Sequence, residues 1–193
     1  MFALYITHPE VLIDPAVRVP EWELSDRGRG RAALAAAAGW ALRIGRFVAS
    51  TERKAIETAE ILAAGRCPIE TDHAMGENDR SATGFLPPDT FEAAADRFFA
   101  HPHESFRGWE RAADAQARIV AAVERALANH DPAVPIAFVG HGGVGTLLKC
   151  HLKGTPIARD GDQPPGGGNL FAFRLADRSV ACDWTAMESW KGF

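Results

Sequence analysis

Two histidines stand in matched settings in this sequence. In Phe2-Ala3-Leu4-Tyr5-Ile6-Thr7-His8-Pro9 the first six residues are apolar, aromatic or β-branched, and no charge interrupts them. That is the pattern of a buried strand. Pro9 lacks a backbone N–H, so the ladder stops there and His8 falls at the strand's carboxyl edge. The design recurs in Val134-Pro135-Ile136-Ala137-Phe138-Val139, where Gly140-His141-Gly142-Gly143 follows and opens a helix near Val144. A neutral imidazole near pH 7 has an available lone pair and needs no metal to unmask it, so the chemistry is nucleophilic or acid–base. One such histidine would be a weak signal. Two in the same context can face each other across neighbouring strands, at the sheet edge where α/β proteins bind ligands.

The elements that must position them follow from the pattern around them. The 193 residues suffice for one α/β domain with a full core. A proline-marked loop spans Glu10 to Trp22. Ser25 is a good N-cap, with Asp26 in the first turn, for a helix running to about Arg43; Gly28 and Gly30 weaken it, and a close approach to the sheet would explain at least one of them. Ile44–Ala49 leads into a second strand. Ser50 and Thr51 can cap a helix over roughly Glu52 to Ala64, with Ala55, Thr58, Ala59 and Leu62 on one face. Cys67–Thr71 reads as a third strand. Asp89 and Glu92 have capping-box character for a helix ending before His101. Trp109 to Leu127 reads as a longer helix with Ala113, Val120, Val123 and Leu127 in the core and a solvated Asp114–Arg118 pair. A helix over Val144–Leu152, a flexible loop over Thr155–Asn169, and a hairpin from Leu170–Leu175 and Ser179–Trp184 complete the chain. Gly166-Gly167-Gly168 lacks the lysine and helix of a phosphate-binding loop.

Composition excludes several classes. With 21 basic and 25 acidic residues the net charge is -4, which argues against nucleic acid as the main partner. A small anionic substrate needs only local positive charge and stays open. Cys67, Cys150 and Cys182 form no C-x-x-C pair, and an odd count without a secretion signal fits reduced thiols in a cytoplasm. No apolar run approaches the about 18 residues of a membrane span. His101, His103 and His73 lack the accompanying carboxylate or cysteine spacing of a metal site.

Taken together, Thr7-His8-Pro9-Glu10, Ser50-Thr51-Glu52-Arg53-Lys54-Ala55-Ile56-Glu57-Thr58-Ala59, Glu77 and Gly140-His141-Gly142-Gly143 resemble the histidine phosphatase superfamily, also called phosphoglycerate mutase-like. Leu24-Ser25-Asp26-Arg27-Gly28-Arg29 looks like that family's first helix start. The likeness runs from Leu4 to Leu148. It implies one domain over residues 1–193, folded as a three-layer α/β sandwich: a mainly parallel central sheet with helices on both faces. It implies a cytoplasmic phosphomonoester hydrolase without metal or cofactor, acting on a small phosphorylated substrate. His8 would attack phosphorus and become a phosphohistidine that water cleaves. For this, one ring nitrogen must be held, and a backbone carbonyl in the Pro9–Val11 turn can hold it. Glu77 would protonate the leaving alkoxide. Lys54, His141 if protonated, the Gly142 amide, Thr7 and Arg53 would surround the phosphoryl oxygens.

Two departures qualify the resemblance. The family usually places arginine before the nucleophile and glycine after it, where this chain has Thr7 and Pro9. Lys54 also stands where the family usually has arginine, giving a point charge instead of a planar fork. Each loss is worth about 3 kcal/mol of transition-state stabilisation, together about 10⁴ in rate. Arg53, Arg18, Arg80 and Arg107 are the possible substitutes, although Arg53 points about 100° away from Lys54 around a helix. A phosphate-ligand sensor that has lost turnover is therefore the rival reading, and a phosphomutase a less favoured one. Nothing in these residues selects a substrate or an oligomeric state.

Overall fold

The computed structural model describes residues 1–192. Six strands form one sheet: β1 Phe2–Thr7, β2 Arg46–Ser50, β3 Ile69–Asp72, β4 Ile136–Gly140, β5 Asn169–Arg174 and β6 Val180–Ala186, in the order β3-β2-β4-β1-β5-β6. The first four pair in parallel, while β5 runs antiparallel to β1 and β6 antiparallel to β5. Five helices accompany them: α1 Asp26–Ala37, α2 Arg53–Ala63, α3 Pro88–Ala100, α4 Ala112–Leu127 and α5 Gly142–Lys153. The strand alternation sorts side chains onto two cores. Ala3, Tyr5, Val48 and Phe138 face α3, α4 and α5, and Leu4, Ile6, Phe47 and Val139 face α1 and α2. The protein is thus a mainly parallel sheet covered by helices on both faces.

Register carries the function-bearing residues to one place. Thr7 pairs with Gly140, so His8 and His141 leave adjacent strands side by side. Ala49 pairs with Val139, which brings Ser50 to the same edge from the other side of β4. The His8 amide donates to the Gly140 carbonyl at 3.0 Å, extending the ladder one residue past β1.

Several local expectations change. Ser25 does cap α1, accepting from the Gly28 amide at 3.1 Å, but the helix stops at Ala37. A separate 3₁₀ turn over Trp40–Arg43 buries Trp40 and Ala41. The close approach at Gly28 is to the Glu10 carbonyl, 2.2 Å from where a Cβ would stand, and not to the sheet. No side chain caps α3, which starts at Pro88 with Asp89 inside its first turn. In α4 the buried face is Ala112, Ala115, Ile119, Ala122, Val123 and Leu127, with Ala113 and Val120 half-buried. Asp114 pairs with Arg111, because Arg118 is drawn inward to other partners.

The loop over residues 155–168, expected to be flexible, is pinned. Gly166, Gly167 and Gly168 all have positive φ, and their carbonyls accept from the Arg31 guanidinium. The Gly168 amide donates to the His8 carbonyl at 2.9 Å. A Cβ on Gly167 would stand 2.3 Å from that same oxygen, so the triple glycine is the shape that lets the loop pack beneath His8. No helix among the described residues is long and apolar enough to cross a membrane.

Candidate active site

His8 and His141 meet edge to face, with ring centroids 5.2 Å apart and planes inclined at 69°. His8 is partly buried, and its Nδ1 lies 2.8 Å from the Pro9 carbonyl. A carbonyl only accepts, so Nδ1 carries the proton and Nε2 keeps its lone pair. The turn that Pro9 forces at the end of β1 therefore also selects the tautomer. Burial, followed by the nearby charge of Lys54, lowers the His8 pKa to about 4.

That shift gives a signed expectation. The unfolded ring binds a proton below its ordinary 6.5, while the folded ring does so only near 4. Stability thus rises with pH across this window, and the contribution of neutral His8 is lost as pH falls through about 4. In an NMR titration of the unliganded protein, His8 should still be neutral at pH 5. A midpoint near 6.5 would mean that the ring is solvated and that this account of its environment fails.

His141 is fully buried. Its backbone is clamped by the chain's one tyrosine: the Tyr5 hydroxyl accepts from the His141 amide and donates to its carbonyl, both at 3.1 Å. Its Nε2 lies 2.9 Å from Ser50 Oγ and 3.3 Å from Glu52 Oε1. Its Nδ1 is buried with no partner among the described residues. Burial pulls its pKa well down, against the opposing pull of Glu52. A buried ring nitrogen left unsatisfied beside a second imidazole is a costly arrangement unless a ligand completes it.

Glu77 reaches the N-terminus of α5. Its carboxylate accepts from the Gly143 amide at 3.2 Å, the Val144 amide at 3.1 Å and its neighbour Asn78 at 3.1 Å. A Cβ on Gly143 would stand 2.8 Å from Glu77 Oε1, so only glycine admits this approach. Arg118 of α4 holds the segment in place. Its guanidinium donates to the carbonyls of Ala74, Gly76 and Glu77 and forms a two-pronged pair with Glu110. Asp114 lies one helical turn from Arg118 in the sequence, and no local pattern signals this long-range role.

The remaining candidates divide. Lys54 is buried, donating from Nζ to the Val19 carbonyl at 2.8 Å and to Glu52 Oε2 at 2.5 Å; its charge acts on both histidines. The Gly142 amide opens α5, with Gln163 packed against it: a Cβ there would stand 2.3 Å from Gln163 Nε2. Thr7 lies below the site, but its hydroxyl donates to Gln163 Oε1 at 2.6 Å and accepts from the Asn169 amide at 3.0 Å, which ties β1 to the start of β5. Arg53 is not brought to the histidines; it pairs with Glu23 and Glu57 on the outer face of α2. Arg18 likewise pairs with Glu21 in solvent.

Arg107 lies 5.4 Å from the Phe106 ring centroid but is exposed. Arg80 is set differently from Arg107 and from the paired arginines. It is partly buried, its guanidinium lies 4.9 Å from the Phe91 ring centroid and 5.7 Å from that of Trp109, and it has no carboxylate partner among the described residues. Its charge nonetheless lowers the pKa of both His8 and His141. The loop that carries it is fixed by the Trp109 indole N–H donating to Thr83 Oγ1 at 2.8 Å and by the Thr83 amide donating to the Arg80 carbonyl at 3.0 Å. Among the described residues no three His, Cys, Asp or Glu side chains come together as a metal site.

The geometry has close counterparts in known folds. YhfR of Bacillus stearothermophilus superposes with a TM-score of 0.79 at 23% identity, covering 96% of this chain and 98% of that one. A mycobacterial glucosyl-3-phosphoglycerate phosphatase in complex with inorganic phosphate gives 0.79 at 20% identity, covering 98% and 99%. The alpha-ribazole phosphatase of Shigella flexneri gives 0.73 at 17%, covering 97% of each chain. At these identities the likeness speaks for the fold. No curated protein matches the sequence significantly. The family model of the histidine phosphatase superfamily (branch 1), however, matches residues 16–177, a span that starts after His8 and takes in Lys54, Glu77 and His141. With most of its length matched in this way, the chain belongs to the histidine phosphatase superfamily.

Proposed function

We propose that the protein hydrolyses phosphomonoesters without a metal, through a phosphohistidine at His8. The observation that carries this reading is the pairing of two ring nitrogens: His8 Nε2 with its lone pair free, and the buried, unpartnered Nδ1 of His141 beside it. His8 Nε2 attacks phosphorus as the ester P–O bond breaks, and Glu77 gives its proton to the leaving oxygen. The ring then carries phosphate on Nε2 and hydrogen on Nδ1, a cation whose Nδ1–H donates to the Pro9 carbonyl. Water attacks phosphorus next, the P–N bond breaks, Glu77 takes the water's proton, and neutral His8 returns. Family membership and the phosphatases among its structural neighbours support the reaction class. The ester itself is proposed only as a small phosphorylated molecule.

Positive charge for the equatorial oxygens then comes from Lys54, the Gly142 amide and Arg80, one of the possible substitutes, in place of Thr7 and Arg53. Thr7 is occupied by Gln163 and Asn169, and Arg53 faces away. Arg80, held on Phe91 and Trp109 without an anionic partner, is the guanidinium best placed to swing onto a phosphoryl oxygen. Lys54 and the Gly142 amide complete the set. The second reading, a phosphate-binding protein without turnover, is favoured by one observation: the Lys54 charge is already matched by Glu52.

Rapid quenching of a reaction with radiolabelled p-nitrophenyl phosphate separates the two. Hydrolysis through His8 predicts an acid-labile, base-stable label on the protein within one turnover. Arg80→Ala should slow its formation by about 10²- to 10³-fold, the usual effect of removing one transition-state donor. Saturable binding with no label and no nitrophenol would leave only the binding protein. Unchanged labelling in Arg80→Ala would remove that arginine from the site.

A further inference from the structure

We propose that Glu52 is a positioning residue that lets His141 take up a proton when a phosphate anion docks, so that the site makes one of its cations on demand. This rests on the phosphate-binding reading of the pocket and extends it.

Glu52 sits just before α2, where a carboxylate would ordinarily point into solvent. Here its side chain folds inward and joins three parts of the site. Oε1 accepts from the Glu77 amide at 3.0 Å and lies 3.3 Å from His141 Nε2, and Oε2 accepts from Lys54 Nζ at 2.5 Å. Taken alone this is a poor arrangement for binding an anion, since a negative group stands among the positive ones. Its use lies with His141. A neutral ring offers one N–H: carried on Nδ1 toward the phosphate side, it leaves Nε2 to accept from the Ser50 hydroxyl and presents no proton to Glu52. An imidazolium offers two: Nδ1–H toward a phosphoryl oxygen, and Nε2–H toward Glu52. The Ser50 hydroxyl is neutral and gives a buried imidazolium no countercharge, whereas the Glu52 carboxylate does.

The charges facing His141 make the balance explicit. Lys54 from α2, Arg80 from the loop after β3 and His8 from the end of β1 all oppose its protonation, and Glu52 favours it. Without an anion, burial and these cations keep the ring neutral. A dianion against Nδ1 reverses the sum, and solvent supplies one proton that leaves again with the anion. Hydrogen bonds from an imidazolium to a carboxylate and to a phosphoryl oxygen are both charge-assisted, the strong kind.

Tungstate is a suitable probe because it is already a dianion near neutral pH and brings no proton of its own. Calorimetric titration in two buffers of different protonation enthalpy should show about one proton taken up per tungstate bound. Affinity should fall about tenfold per pH unit where the free ring is neutral. In Glu52→Gln both the uptake and the pH slope should vanish, whichever way the affinity itself moves once Lys54 is released. NMR of the tungstate complex of the unmodified chain gives an independent answer: both His141 ring nitrogens should be protonated. Binding with no proton uptake, a neutral His141 in the complex, or the same uptake in Glu52→Gln overturns the role of Glu52 and leaves the phosphatase reading standing. Failure to bind tungstate at all overturns both.

Discussion

Replacing His8 by alanine should lower kcat/KM for any phosphomonoester by at least about 10⁴-fold, with no labelled protein on rapid quenching. A nucleophile that forms the covalent intermediate has no local substitute, and its loss removes the whole two-step route. The ring next to it cannot take over. His141 is clamped through its backbone by Tyr5, and its Nε2 is engaged by Ser50 and Glu52. The fold should survive, because the contacts that hold residue 8 are made by its backbone: its amide to Gly140 and its carbonyl to Gly168. The melting temperature is therefore the control, and it should stay close to that of the parent. Added imidazole, which fits the space the ring vacates, should restore part of the turnover. Undiminished hydrolysis by a folded His8→Ala protein would end the phosphohistidine route and leave the pocket as an anion-binding site.

What the sequence made legible was the part written in short-range pattern. An uncharged apolar run ending in His-Pro marks both the strand and the position of the histidine, and the second run repeats it; parallel register then makes the two rings neighbours. The groups that tune the rings were not legible, because long-range packing decides where they point. Glu52 looks like a helix-start carboxylate beside Arg53, yet it turns inward to His141 and Lys54. Arg118 has an acidic residue one turn away, yet bonds the carbonyls of a loop more than forty residues earlier in the chain. Arg80 is one of four arginines the sequence offers, and it stands apart only through long-range packing: its stacking on Phe91 and Trp109 and the bond from Trp109 to Thr83 that fixes its loop. Gln163 lay in a stretch that reads as flexible connection, and nothing local signals that it would meet Thr7. The same separation explains why α1 ends at Ala37, earlier than its local sequence suggests. Its alanines favour helix throughout, but burying Trp40 requires a turn before it.

The proposed role of Glu77 as the acid for the leaving group can be tested by changing the substrate as well as the protein. Glu77→Gln should cost about 10²- to 10⁴-fold in kcat/KM on an alkyl phosphate, the usual size of general acid catalysis. The loss on p-nitrophenyl phosphate should be far smaller, because nitrophenolate leaves as a stable anion and needs no proton. The comparison matters because glutamine is not silent here. The carboxylate takes amides on both oxygens, from Gly143 on one and from Val144 and Asn78 on the other. An amide group must turn its NH₂ toward one of these donors, at a cost of about 1–3 kcal/mol for the unsatisfied contact. A general loosening of the α5 N-terminus would slow both substrates alike. Proton donation slows only the one whose leaving oxygen must be protonated, so the ratio of the two losses isolates it. Equal losses on the two esters would reduce Glu77 to a brace for Gly143 and Val144, and the acid would then have to be sought elsewhere around the pocket.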